Sequence, residues 1–274
     1  MKPGYTRILV VAYPKSGTTG ILRIVQDTTG GTLKDNLRFG REQKSLSSGN
    51  PEIEIFKDHS SLGPYLCQNL DLVVIGTRNI NSVIESSIPF FEPEIRLFGK
   101  NLERLPFVGR AFTRTIVKRF GNLGVHQNHL KKIKNAISGF PGPSYSKSEY
   151  LRKSYLEYIQ TLRNELGNAN FKFIIARHES WKDTPVVLVN SLNALLDLNL
   201  ADSTKEEIAQ NSTFEKHKSR FESEDASGRY FQTRDLKESI AWSLEESSFL
   251  EILQAEINEE ISLLENLPNC LASV

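Results

Sequence analysis

Short apolar runs and longer stretches with apolar residues three and four apart follow one another along the chain. Ile8-Leu9-Val10-Val11-Ala12 is rich in branched residues and has no polar alternation, which predicts a strand buried on both faces over 7–13. Similar runs predict strands over 52–57, 71–77 and 171–176. The 3.6-residue rhythm predicts helices over 18–27, 80–88, 148–166, 185–197, 203–210 and 246–266. The helix near 148 opens on serine and glutamate and spaces Leu151, Tyr155, Tyr158, Ile159 and Leu162 along one side. The polar stretch 33–51 reads as a loop, and 139–148 as a turn-rich connector. Alternation of this kind predicts an α/β fold, a mostly parallel sheet flanked by helices. Ligands of such sheets gather beyond the carboxyl ends of the strands. Three of the four predicted strand ends carry polar candidates there: Lys15, the pair Lys57 and His59, and Arg78.

Composition changes this picture little. A chain of 274 residues with 39% hydrophobic and 24% charged positions is ordinary for a globular protein and could be one α/β domain or two small ones. A net charge of +1 provides no global field for nucleic acid, so none is expected as a partner. The two cysteines, Cys67 and Cys270, make neither a disulfide framework nor a metal cluster, which suits a reducing compartment. The apolar run before Tyr13 is too short for a signal peptide or a membrane span. A cytoplasmic protein without a metal is the expectation.

The first strand runs into Tyr13-Pro14-Lys15-Ser16-Gly17-Thr18-Thr19, and Gly20-Ile21-Leu22-Arg23-Ile24-Val25 then starts a helix. Strand, glycine turn and helix N-terminus direct backbone N–H groups and the positive end of a helix dipole at one point, which is a phosphate site. Lys15 adds a charge, and Ser16, Thr18 and Thr19 add hydroxyls. The plainer reading, a simple strand–turn–helix corner, requires neither a lysine nor three hydroxyls. The loop is not that of the ATPases and kinases, which place the lysine after a second glycine and beside a magnesium-binding hydroxyl.

The seven residues from Tyr13 to Thr19 resemble the 5′-phosphosulfate loop of the sulfotransferases that use 3′-phosphoadenosine 5′-phosphosulfate, of pattern Y-P-K-S-G-T-T-W; Gly20 stands where that pattern has tryptophan. Arg78-Asn79-Ile80-Asn81-Ser82-Val83-Ile84-Glu85-Ser86 is similar to the family's R-N-x-x-D-V-x-x-S segment, with Ser82 in place of aspartate. That similarity implies that Arg78 and Ser86 bind the 3′-phosphate, and guanidinium geometry suits such a contact. Lys57-Asp58-His59 resembles K-T-H, which implies that His59 is the general base and Lys57 its partner at the transferring group. His178-Glu179-Ser180-Trp181-Lys182-Asp183-Thr184-Pro185 resembles Y-E-D-x-x-x-x-P, with His178 in the place of a tyrosine near the adenine. Ser227-Gly228-Arg229 is a fragment of R-K-G-x-x-G-x-W and makes Arg229 a further 3′-phosphate candidate. Arg234 and Trp242 fit surface and core roles.

The resemblance implies a single domain over 1–274 with a P-loop NTPase-like sulfotransferase fold, with 3′-phosphoadenosine 5′-phosphosulfate as co-substrate and adenosine 3′,5′-bisphosphate as product. The acceptor would be a hydroxyl or amine of a small molecule, glycan or lipid. His59, Lys15 and Lys57 are then the catalytic set, and Lys15, Ser16, Gly17, Thr18, Thr19, Arg78, Ser86, His178 and Arg229 the nucleotide set. Two rival readings stand beside it. A kinase-like phosphotransferase is opposed by the position of the lysine. A non-catalytic nucleotide-binding protein is encouraged by Gly20 and opposed by His59.

One stretch fits none of these motifs. Between Arg96 and Lys134 there are ten basic residues (Arg96, Lys100, Arg104, Arg110, Arg114, Lys118, Arg119, Lys131, Lys132, Lys134) against one acidic residue, Glu103. Leu105, Phe107, Val108, Phe112, Ile116, Val117 and Phe120 are interleaved with them. The segment 95–147 is expected to be a basic insert on the acceptor side, facing an anionic acceptor or an anionic membrane surface; a solvated basic face is the plainer reading.

Overall fold

The computed structural model describes residues 6–13, 15–34, 50–59, 62, 69–83, 86, 147–169, 171–213, 216 and 244–274. The Arg96–Lys134 segment, Arg229, Arg234 and Trp242 lie outside the described residues.

Among the described residues six strands form one sheet: β1 (Thr6–Ala12), β2 (Gly31–Leu33), β3 (Asn50–Asp58), β4 (Leu72–Thr77), β5 (Phe173–Arg177) and β6 (Cys270–Ser273). Their order is β2-β3-β1-β4-β5-β6, and every pairing is parallel. β1 therefore lies between β3 and β4, with Val11 beside Asp58 and Ile75. β4 and β5 end level, with Thr77 beside Arg177. Lys57, His59, Arg78 and His178 thus emerge around the end of the first strand because parallel pairing aligns the carboxyl ends.

Helices cover both faces, and strand alternation divides the core between them. Leu9, Val11, Phe56, Val73, Ile75, Phe173 and Ile175 face α2 (Lys147–Gly167) and α6 (Leu244–Glu265), which contribute Tyr155, Ile159, Leu162, Leu253, Ile257 and Ile261. Ile8, Val10, Ile55, Val74, Ile174 and Ala176 face α1 (Thr18–Thr29), the single turn α3 (His178–Trp181), α4 (Val186–Leu195) and α5 (Asp202–Asn211). Burial on both faces explains why the strands read as unbroken apolar runs. Full burial of each large aliphatic side chain here contributes about 1.5–3 kcal/mol. α1 lies close on the sheet at Gly76, where a Cβ would come within 2.6 Å of Ile21 Cδ1 and 2.8 Å of Ala12 Cβ.

Several expected boundaries shift. Leu33 belongs to β2 and Asn50 opens β3, so the loop read over 33–51 is shorter at both ends. Lys147 and Ser148 are already helical, which shortens the connector read over 139–148. β2, α3 and β6 have no counterpart among the predicted elements. β2 and β6 are short edge strands, and alternate residues of β6 are exposed, so neither makes an apolar run.

Candidate functional site

The site begins with a turn that two residues take in the left-handed region: Lys15 at φ 71° and Gly17 at φ 86°. The Ser16 N–H closes it by donating to Tyr13 O at 3.0 Å, and the Ser16 side chain is fully buried beneath it. Glycine is required at 17 on two grounds: the positive φ, and space, since a Cβ would lie 2.7 Å from His178 Cδ2 and 2.9 Å from Trp181 Cζ2. α1 starts at Thr18 with neither a capping side chain nor an acidic residue in its first turn. Its first N–H groups have no acceptor within the helix, so they present a partial positive charge at the loop.

Among the described residues, Lys15, Lys57 and Arg78 bring cationic side chains to this loop. Lys15 stands on it. Lys57, at the end of β3, donates from Nζ to Thr19 Oγ1 at 3.4 Å. Arg78, just past β4, donates from Nη1 to Lys15 O at 2.9 Å and so holds the turn by its backbone. Burial, reinforced by Arg78 and Lys57, lowers the Lys15 pKa from 10.5 to about 8. Burial and the Arg23 charge lower that of Lys57 to about 8 as well. Arg78 and Lys57 thus make Lys15 costlier to charge, and Arg23 does the same for Lys57, a cost that an anion bound here would lower.

His59 is the first residue after β3. Its Nδ1 lies 3.0 Å from Ala12 O and 3.5 Å from Thr18 Oγ1. A carbonyl only accepts, so Nδ1 carries the proton of the neutral ring and Nε2 is its basic atom. The His59 N–H donates to the buried Asp58 carboxylate at 2.7 Å, which fixes the backbone that carries the ring.

The rest of the frame converges on Arg78. The fully buried Tyr155 on α2 places its hydroxyl 3.0 Å from both Arg78 N and Arg78 O, accepting from one and donating to the other. Burial pushes its phenol up to about 12. Asn79 N–H donates to Glu179 Oε1 at 2.8 Å, and Asn81 N–H to Asn79 Oδ1 at 2.9 Å, capping the helical residues 80–83. Ser86 also has helical backbone and is half-buried.

Arg78 thus contacts Lys15, and Lys57 contacts Thr19. His59 is tied to Thr18, and His178 touches the loop at Gly17. Burial, with Arg78 and Lys182 nearby, lowers the His178 pKa to about 3, so its imidazole is neutral at physiological pH. Sequence reasoning missed Tyr155 because it sits in a helical core pattern, and missed Glu179 and Trp181 although both stand in a quoted segment. The signal for Trp181 was the missing side chain at position 20. Among the described residues no group of three or more His, Cys, Asp or Glu side chains could hold a metal ion, and no helix is long and apolar enough to cross a membrane.

No protein-family model matches the chain, and no curated protein matches it. Among solved structures it is similar to the crystal structure of mouse sulfotransferase SULT7A1 complexed with PAP. The TM-score is 0.52 at 14% sequence identity, over 95% of this chain and 88% of that one. The likeness extends along nearly the whole chain, and it is a likeness of fold: a parallel sheet flanked by helices, P-loop-like, of the sulfotransferase type.

Proposed function

We propose that the protein is a sulfotransferase that moves a sulfuryl group from 3′-phosphoadenosine 5′-phosphosulfate to an acceptor hydroxyl or amine. The observation that carries this reading is the meeting of an uncapped helix N-terminus, two lysines and an arginine with a histidine whose Nδ1 is bonded to a backbone carbonyl. The first three features suit a phosphorylated ligand. A histidine with Nε2 as its basic atom suits a hydroxyl that must lose a proton. A shared fold with a sulfotransferase that binds PAP supports the same reading.

The residues divide the work accordingly. Backbone N–H groups at Gly17, Thr18 and Thr19 hold the 5′-phosphate, and Arg78, with Ser86 and Arg229, the 3′-phosphate. His59 Nε2 takes the acceptor proton as the acceptor oxygen bonds to sulfur. The bond from sulfur to the 5′-phosphate oxygen breaks in line, and Lys15 stabilises the charge that grows on that oxygen. Lys57, held by Thr19, steadies the sulfuryl oxygens. The products are the sulfated acceptor and adenosine 3′,5′-bisphosphate.

The test is turnover of the labelled donor against a panel of phenols, alcohols, amines, glycans and lipids, with His59→Ala as control. The wild type is expected to release adenosine 3′,5′-bisphosphate together with a sulfated acceptor, and His59→Ala to do so roughly 10²–10⁴ times more slowly. Transfer of phosphate from ATP to the same panel would replace this reading with the phosphotransferase one.

A further inference from the structure

We infer that Trp181 is a positioning residue for the phosphate loop and forms an exchange pair with Gly20: one indole, delivered from α3, occupies the volume that a side chain on α1 would need. A Cβ at residue 20 would lie 2.7 Å from Trp181 Cη2 and 3.1 Å from Cζ3. Gly20 lies within the helical run of α1, and its φ is outside the left-handed region, so glycine is required there for space and not for backbone freedom. The same ring reaches Gly17, whose Cβ would meet Cζ2 at 2.9 Å. The indole therefore spans one turn, from the left-handed glycine to the first turn of α1.

Trp181 cannot simply swing aside. It is only 4% exposed, and it packs among Ile21, Ala176, Leu188 and other residues of the α1 face. His178 braces it edge-on, with ring centroids 5.1 Å apart and planes at 80°. Its Nε1–H is buried without a hydrogen-bond partner, which costs stability. A phenylalanine would avoid that cost, so the indole's extent is what the position uses. Glu179, on the same turn, bonds to Asn79 N–H. α3 thus sets the β1 loop and the β4 loop relative to each other; His178 and Trp181 both reach the phosphate cradle at Gly17, and Trp181 extends to Gly20.

For nucleotide affinity the inference rests on the proposed function; for the pairing it does not. Two measurements keep these apart. The first is thermal unfolding. Alanine normally stabilises a helix relative to glycine. Gly20→Ala is expected to lower the Tm of the wild type, and to raise it or leave it unchanged in a Trp181→Ala background. The same sign in both backgrounds would overturn the pairing, whatever the ligand. The second is calorimetry with adenosine 3′,5′-bisphosphate. Gly20→Trp and Trp181→Ala are each expected to weaken binding about tenfold or more through misplacement of the cradle, while the double variant returns to within about threefold of wild type. A folded double variant no better than the weaker single one would refute the positioning role. Absence of wild-type binding would count against the proposed function and leave the sign reversal to decide the pairing.

Discussion

Two arginines leave neighbouring parallel strands at the same end of the sheet and meet different surroundings. Arg177, the last residue of β5, donates from Nε to Glu265 Oε1 at 3.1 Å and to Ser273 Oγ at 3.3 Å, and Nη2 also reaches Glu265. It joins β5 to α6 and the edge strand β6, and its charge is matched by a carboxylate. Arg78, one residue beyond β4, bonds a backbone carbonyl and stands among Lys15, Lys57 and His178. A charge matched within the fold holds elements together. Cations held close together make one another costlier to charge, and a ligand of opposite sign lowers that cost.

The largest test of this contrast is kinetic. His59→Ala is expected to reduce turnover by roughly 10²–10⁴ with nucleotide affinity nearly unchanged, as for loss of a general base. Lys15→Ala should reduce both, because its charge meets the nucleotide before and during transfer. Single-turnover rates and calorimetry on the same preparations separate the two. Activity of His59→Ala near wild type would move the base elsewhere.

Next in size is Arg78→Ala. Loss of a charge-assisted contact should weaken adenosine 3′,5′-bisphosphate by about 1.5–3 kcal/mol. Adenosine 5′-phosphate should weaken less, but measurably, because Arg78 also holds Lys15 O. Equal losses for the two ligands would show that Arg78 serves the loop alone.

The pH dependence is smaller, and its sign follows from the lysines. Both have a folded pKa of about 8 against 10.5 in the unfolded chain. Below pH 8 the charged pair therefore lowers the stability of the ligand-free protein, and this cost is relieved as pH rises from 8 towards 10.5. A bound anion favours the charged forms, so bisphosphate affinity should fall above pH 8, with proton uptake on binding. Calorimetry in buffers of different ionisation enthalpy reads that uptake. Binding without uptake at about pH 9 would contradict the placement of the ammonium groups at the anion.

The smallest effect belongs to the compensated side. Arg177→Ala should cost about 1 kcal/mol or less, as for other partly exposed ion pairs, and leave nucleotide affinity unchanged. Burial raises the Glu265 pKa, but the Ser273 hydrogen bond and Arg177 outweigh it, so the net shift is downward. The stabilisation from this pair is therefore present above the ordinary carboxylate pKa and is lost as pH falls through the lowered one. Denaturant unfolding against pH checks it; an affinity loss as large as that of Arg78→Ala would erase the distinction between the two arginines.

The sheet interior was legible because strands buried on both faces leave unbroken apolar runs, as at Ile8 to Ala12. The edges were not: Gly31–Leu33 is three residues long, and Cys270–Ser273 becomes a strand only by pairing with β5. That Lys15, Lys57, His59 and Arg78 lie near one another was legible because each stands within three residues of a strand end and parallel pairing gathers those ends. Tyr155 and Trp181 were not. Tyr155 has the helical spacing of any core residue, and only the fold brings its hydroxyl to Arg78. Trp181 touches residues more than 160 positions earlier, a proximity that no local pattern encodes.

The most direct test of the central claim is a calorimetric titration of the wild-type protein with adenosine 3′,5′-bisphosphate, compared with ATP and magnesium under the same conditions. Saturable one-to-one binding of the bisphosphate, tighter than ATP and weakened by Arg78→Ala, is the expected result. Tighter binding of ATP, or no binding of the bisphosphate, would contradict the account.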